Sequence, residues 1–343
     1  MGGGAAEPNA ARGNHAGQSA GGKRLMHWKL KALVQNTAAT LPPRLSHACY
    51  YFLQRRFGNL RVTNPTKRLA AGVKIAERMA RQGQSVESKT FLEVGTGHQL
   101  NLPIALWLCG ASQVTTVDLN PYLQAELVTA DLKYMQTHPA EIAAVFGRIA
   151  ETPIFVGRFS QLAALDTERC TLRDILSLMN IRYLAPVNAA RLPIPSASID
   201  CHVSYTVFEH IPAPTLAAIL EEGKRLITDT GLFIHCIDCS DHFSHSDRRI
   251  SSVNFLQFSE SEWDRLAGNQ YMYQNRLRAD DFTALFNQAG LAMADVETIV
   301  DTRALEELRQ GLVLDERFRR KRVEDNAATW LWTVASNGPM PIQ

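Results

Sequence analysis

The sequence holds no apolar run near the roughly 20 residues needed to cross a bilayer. Runs such as Leu102 to Leu108 are short and carry Pro103, so no transmembrane helix is expected. Charge of neither sign is in excess: 36 Lys and Arg stand against 34 Asp and Glu, a formal net charge of +2, and nothing global favours a nucleic-acid partner. Cysteine is sparse. The six cysteines lie singly among apolar residues, as reduced buried thiols do and as a disulfide framework does not. Cys236-x-x-Cys239 has no second pair at metal-binding spacing. The first residues lack the apolar middle region of a secretory signal, which makes the cytoplasm the expected location. No internal repeat is visible.

What is present is an ordinary globular composition, 45% hydrophobic and 20% charged over 343 residues, enough for one large decorated domain or two modest ones. Residues 1–23 are rich in Gly, Ala and Asn and have little apolar surface to offset the entropy of ordering, so a disordered tail is expected. Residues 24–88 read as a helical amino-terminal cap, with Leu30, Leu33 and Val34 at helical spacing. Lys29, Lys31, Arg44, Arg55, Arg56 and Arg61 lie among its apolar residues. A solvated basic face is the favoured reading of them, and peripheral contact with an anionic membrane the other.

Residues 89–338 alternate strands with helices, the pattern of a mostly parallel α/β sheet covered on both faces. Strands are expected at Thr90 to Val94, Gln113 to Asp118, Ile181 to Val187, Ile199 to Ser204, Gly231 to Asp238, Met293 to Val300 and Thr329 to Ala335. The crossover over about residues 122–180 is far longer than a single helix requires. It reads as a helical insertion, broken at Pro153 and Gly157, that could roof the ligand cleft. Residues 239–279 form a polar, irregular excursion on the substrate side.

The chemistry centres on Phe91-Leu92-Glu93-Val94-Gly95-Thr96-Gly97. A buried strand ends in an acid and enters a turn whose glycines let the backbone approach a ligand, at the sheet edge where open α/β folds bind nucleotides. The next strand ends at Asp118, placed to accept hydrogen bonds from a ribose diol. A dinucleotide turn needs its third glycine at position 100, which is Leu100. Glu93 would also repel a pyrophosphate, whereas it attracts a cationic amino group or sulfonium.

These residues resemble the first and second motifs of the class I S-adenosylmethionine-dependent methyltransferases, with Gln99 where some members have a further glycine. Asn188-Ala189-Ala190-Arg191-Leu192-Pro193 and the strand running to Ser204, Tyr205 and Glu209-His210 resemble that family's later segment, with Asn188 in place of Asp. The resemblance implies a Rossmann-like seven-stranded methyltransferase sheet and a cofactor site of Glu93, Gly95, Gly97, Asp118, Leu119, Asn188, Ala189, Ser204 and Tyr205, holding S-adenosyl-L-methionine.

The acceptor is expected to be a small molecule or carbohydrate methylated at oxygen. The tract from His235 to Asp247, with Ile250 to Ser259 and Asn275 to Arg278, is similar to one in bacterial methyltransferases encoded among glycan and exopolysaccharide genes. Histidine suits the proton step, since its ordinary pKa is about 6.5. His242 is the first candidate base, oriented by Asp241 or Asp238, and His210 the second. Asp238, Asp241 and His242 also offer ligands for Mg2+, and Asn275, Arg276 and Arg278 could hold an anionic substrate group. The rival readings are an NAD(P)-dependent oxidoreductase and a binding protein that keeps the fold without catalysis.

Overall fold

The computed structural model describes residues 27–42, 45–46, 49, 51–52, 55–56, 61, 63–269 and 271–338. The expected tail at 1–23 lies outside them, as does Arg44. One seven-stranded sheet organises the chain, in the order β3-β2-β1-β4-β5-β7-β6. Its strands are β1 Thr90–Val94, β2 Gln113–Val117, β3 Ile181–Leu184, β4 Ile199–Tyr205, β5 Ile227–Asp238, β6 Ala292–Val300 and β7 Ala328–Ser336. The first five pair in parallel, and β7 runs antiparallel between β5 and β6.

The central strands are apolar on both faces because both are covered. Phe91, Val114, Cys201 and Val203 join one core and Leu92, Val94, Phe233 and Ile237 the other, as the two-residue period of a strand requires. The first core is closed by α2 Thr66–Arg81, which follows α1 (Trp28–Ala39) in the chain, and by α3 Asn101–Leu108, every residue of which is buried. A Cβ on Gly72 of α2 would meet the Ala105 Cβ of α3 at 2.4 Å, so the missing side chain is what lets these helices touch.

The expected cap therefore divides. α2 is a layer of the sheet, contributing Leu69, Val73, Ile75 and Met79 to the core. α1, Trp28–Ala39, lies apart from it. It seats Trp28 against Phe243 and Phe258, and Lys31 Nζ donates to Ser246 Oγ at 2.9 Å, which takes Lys31 out of the basic face.

The insertion forms α4 Ala125–Thr137, α5 Pro139–Phe146, α6 Pro153–Ala163 and α7 Leu172–Leu178. Pro153 starts a helix where a break was expected: at the first position its missing N–H costs nothing, and Thr152 Oγ1 caps it by accepting the Phe155 N–H at 3.3 Å. Nor does this helix roof the cleft. Arg158 donates to the carbonyls of Trp107 and Ala111, at the end of α3 remote from the glycine turn.

The excursion departs furthest from expectation. Phe243, Val253, Phe255, Leu256 and Trp263 are all buried, and with Trp28 and Phe318 they build a third core. The excursion holds α9 Glu260–Ala267; α8 Ala213–Leu226 precedes it in the chain and α10 Ala279–Gln288 ends it, both packing into the second core. Irregular turns and a short 3-10 segment carry most of its apolar residues, so no helical or strand period announces them.

Candidate active site

Strand β1 has β2 on one side and β4 on the other, which makes the carboxyl ends of β1 and β4 a topological switch point where ligands bind. Gly95 and Gly97 turn there at φ +91° and +64°. A Cβ on Gly95 would lie 2.4 Å from Val207 Cγ2, while one on Gly97 would meet no atom within 4 Å. The first glycine is demanded by packing, and the second faces open space.

Glu93 and Asp118 lie on the same face of the sheet, on either side of this turn. Thr116 Oγ1 donates to Glu93 Oε2 and meets Thr96 Oγ1 at 2.6 Å. Burial pushes the Glu93 carboxyl up to about 8 despite that bond, so without a ligand it is mostly protonated at neutral pH. The sequence reading took it as a standing negative charge. Asp118 Oδ2 accepts the Gly97 N–H at 2.9 Å and Oδ1 that of Asn120 at 3.0 Å; burial raises its pKa, and these bonds oppose the rise. Each oxygen keeps a further lone pair for a diol.

Beside Asp118, Leu119 is 68% exposed. Asn188 and Ala189 lie on the loop after β3, held against β2 by the Val187 N–H to the Asp118 carbonyl at 2.9 Å. Asn188 is exposed and its Oδ1 accepts the Ala190 N–H at 2.9 Å. Leu100 is fully buried at the start of α3.

Ser204 and Tyr205 part company. Adjacent residues of a strand point to opposite faces, and Ser204 is buried on the face away from Glu93, bonded to His235 Nδ1 at 2.8 Å. It does not line the pocket. Tyr205 is on the Glu93 side, stacked near Trp330 at 6.2 Å, and lines a cavity of about 170 Å3 with Lys67, Lys74, Cys236, Trp330 and Trp332. Cys239 joins the opposite core from Cys236, so the two thiols do not form a pair.

One residue escaped the sequence reading. Arg68, on α2, donates to Gln99 Oε1 at 2.9 Å, and its charge reaches Glu93 and Tyr205. Its side chain is exposed. Its separation of some two dozen residues from Glu93 left no local pattern to read.

Next to Tyr205 the chain makes a tight turn, with Thr206 at φ +55°, into Phe208–His210. The His210 and His242 rings meet edge to face at 5.0 Å. His242 Nε2 lies 3.5 Å from Asp238 Oδ2. Burial raises the Asp238 pKa, but His242 and Ser240 outweigh it and leave the carboxyl below its ordinary value. His210 Nδ1 is 2.9 Å from the Tyr273 carbonyl, and the protein around the ring, then His242, push it down to about 4.

Asp241 stands outside this group. It is fully buried, with Oδ1 accepting the Phe243 N–H and Oδ2 the Asn254 amide, so it neither orients His242 nor completes the expected Mg2+ set. Asn275, Arg276 and Arg278 are also corrected. Asn275 Nδ2 donates to the carbonyls of Phe208 and Ile211 at 2.7 and 2.8 Å. Arg276 holds the Phe255 and Phe258 carbonyls and Glu260. Arg278, 0% exposed, donates to the carbonyls of Cys239, Asp325, Asn326 and Ala328. These side chains clamp the excursion, their hydrogen bonds running to backbone carbonyls and Glu260 where an anionic substrate group was expected.

No protein-family model matches the chain, and no curated protein is similar to it in sequence. Among solved structures it is similar to a geranyl diphosphate methyltransferase in complex with S-adenosylmethionine, at 12% identity over 78% of this chain and 85% of that one, TM-score 0.42. The geranyl diphosphate C-methyltransferase of Streptomyces coelicolor, bound to Mg2+, geranyl diphosphate and S-adenosyl-L-homocysteine, is 13% identical over 78% of each chain, TM-score 0.40. An S-adenosylmethionine-dependent methyltransferase of Mesorhizobium loti is 14% identical over 77% of this chain and 99% of that one, TM-score 0.39. The strand order and the reversed β7 speak for themselves. The chain has the class I methyltransferase fold. Among the described residues, no helix of this methyltransferase-fold protein is long and apolar enough to cross a membrane.

Proposed function

We propose that this chain transfers a methyl group from S-adenosylmethionine to an oxygen of a small molecule or carbohydrate. The observation that carries the reading is the shared face of Glu93 and Asp118 across a glycine turn with open space at Gly97. Asp118 takes the ribose diol, Leu119, Asn188 and Ala189 take the adenine, and Arg68 takes the donor's carboxylate. The donor's cationic amino group and sulfonium draw Glu93 into its ionised form. Tyr205 offers a ring to the sulfonium, an arrangement that attracts cations.

The acceptor lies in the cavity under Tyr205, where Trp330 and Trp332 contact an apolar or sugar face and Lys67 and Lys74 favour an anionic substituent. Its oxygen attacks the methyl carbon in line as the carbon–sulfur bond breaks, giving the methyl ether and S-adenosylhomocysteine. The hydroxyl proton passes to His242 Nε2, beside Asp238. Chiefly the protein positions the two reactants.

Incubation with methyl-labelled donor and panels of neutral sugars, acidic sugars and phosphorylated alcohols tests the reading. Label in one class, with S-adenosylhomocysteine released in equal amount, is expected. A folded protein that turns over no member of any panel and binds no donor contradicts it.

A further inference from the structure

The turns after β4 and β5 gather more unsatisfied polar groups than proton transfer alone requires. Glu209 is 3% exposed, and neither carboxylate oxygen has a hydrogen-bond partner among the described residues. A buried carboxylate left this way costs several kcal/mol unless something compensates. His242 Nε2 is buried without a hydrogen bond as well. His210 is committed through Nδ1 to the Tyr273 carbonyl at 2.9 Å, and its Nε2 lies 4.0 Å from Glu209 Oε1.

One ligand atom from each of Glu209, His210 and His242 falls within 4.8 Å of the other two. Three donors bound to one ion at about 2.0–2.2 Å would sit closer than this by roughly 1 Å, a movement within reach of side-chain rotation. The carbonyl on His210 Nδ1 is the outer support that ligating histidines ordinarily have. Asp238 Oδ2, 3.5 Å from His242 Nε2 and 3.8 Å from His245 Nε2, borders the same space.

We propose that Glu209, His210 and His242, with Asp238 as fourth donor, bind a divalent transition-metal ion. Two imidazoles with carboxylates suit zinc, iron(II) or cobalt(II), whereas magnesium takes oxygen ligands almost throughout. Metal binding does not depend on the methyl-donor reading. It touches that reading at one point: a His242 that ligates an ion is not free to accept a proton, and the ion would lower the pKa of a bound hydroxyl in its place.

The test titrates metal-stripped full-length protein with Co2+, following visible ligand-field absorption, with Zn2+ as competitor and Mg2+ as comparison. One Co2+ per chain is expected, displaced by Zn2+ and not by Mg2+. Glu209→Gln and His242→Ala should each weaken it by at least about tenfold, and His138→Ala, a distant exposed histidine, should not. Circular dichroism checks that each variant is folded. Absence of saturable Co2+ and Zn2+ binding by folded protein, binding that survives both substitutions, or a preference for Mg2+ overturns the proposal. S-adenosylhomocysteine binding measured on the same samples separates the two readings: metal without nucleoside sinks the methyl-donor reading alone, and nucleoside without metal sinks this site alone.

Discussion

Glu93 and Thr116 are register partners across β1 and β2, and the Thr116 hydroxyl donates to a carboxyl that burial pushes up to about 8. The folded chain thus holds a proton on Glu93 that the unfolded chain gives up near its ordinary value of 4.5. Stability from this group is complete below that value and falls as pH rises, until the folded carboxyl itself ionises near 8. By neutral pH the loss is about 3 kcal/mol. Denaturation of wild type and Glu93→Gln across this range should show the variant gaining relative stability as pH rises. A parallel pair of curves contradicts the assignment.

A cationic donor reverses that preference. Its binding at neutral pH should release a proton from Glu93, so calorimetric heats should depend on the buffer's ionisation enthalpy and affinity should rise toward about pH 8. In Glu93→Gln both dependences should vanish. Retention of either would place the proton elsewhere.

The two glycines should separate stability from binding. Gly95→Ala drives a Cβ into Val207 at a positive φ and should lower the melting temperature clearly. Gly97→Ala meets no neighbour, so its cost is the left-handed backbone alone, about 1 kcal/mol; the new methyl enters the donor's space and should weaken donor binding by about tenfold or more. Thermal melts beside binding isotherms would show the split.

His242→Ala should reduce turnover by about 100-fold or more while S-adenosylhomocysteine binding stays within about twofold of wild type. Single-turnover rates and isotherms on the same preparation check this. Arg278→Ala should instead destabilise the fold by about 3 kcal/mol, because four carbonyls lose their donor. A stable Arg278→Ala protein with impaired substrate binding would restore the anion-binding role.

The glycine turn and the Asp118 strand end were legible because both lie within a few residues of a buried strand whose apolar run is continuous. Ser204 was misplaced because the motif names a strand end, whereas alternation sends neighbouring side chains to opposite faces. The excursion read as polar because Asp241, Asn275, Arg276 and Arg278 are polar. Asn275, Arg276 and Arg278 are buried by satisfying backbone groups distant in sequence, and Asp241 is buried with its carboxylate on the Phe243 N–H and the Asn254 amide; no local period encodes such partners. Arg68 and the grouping of Glu209 with His242 depend on the same long-range closure.

Calorimetry of the full-length protein with S-adenosylhomocysteine asks the central question directly. The account predicts one nucleoside bound per chain, with affinity falling by about 10-fold to 100-fold in Asp118→Ala. A folded wild-type protein that gives no heat and no thermal stabilisation with either S-adenosylhomocysteine or S-adenosylmethionine would contradict it.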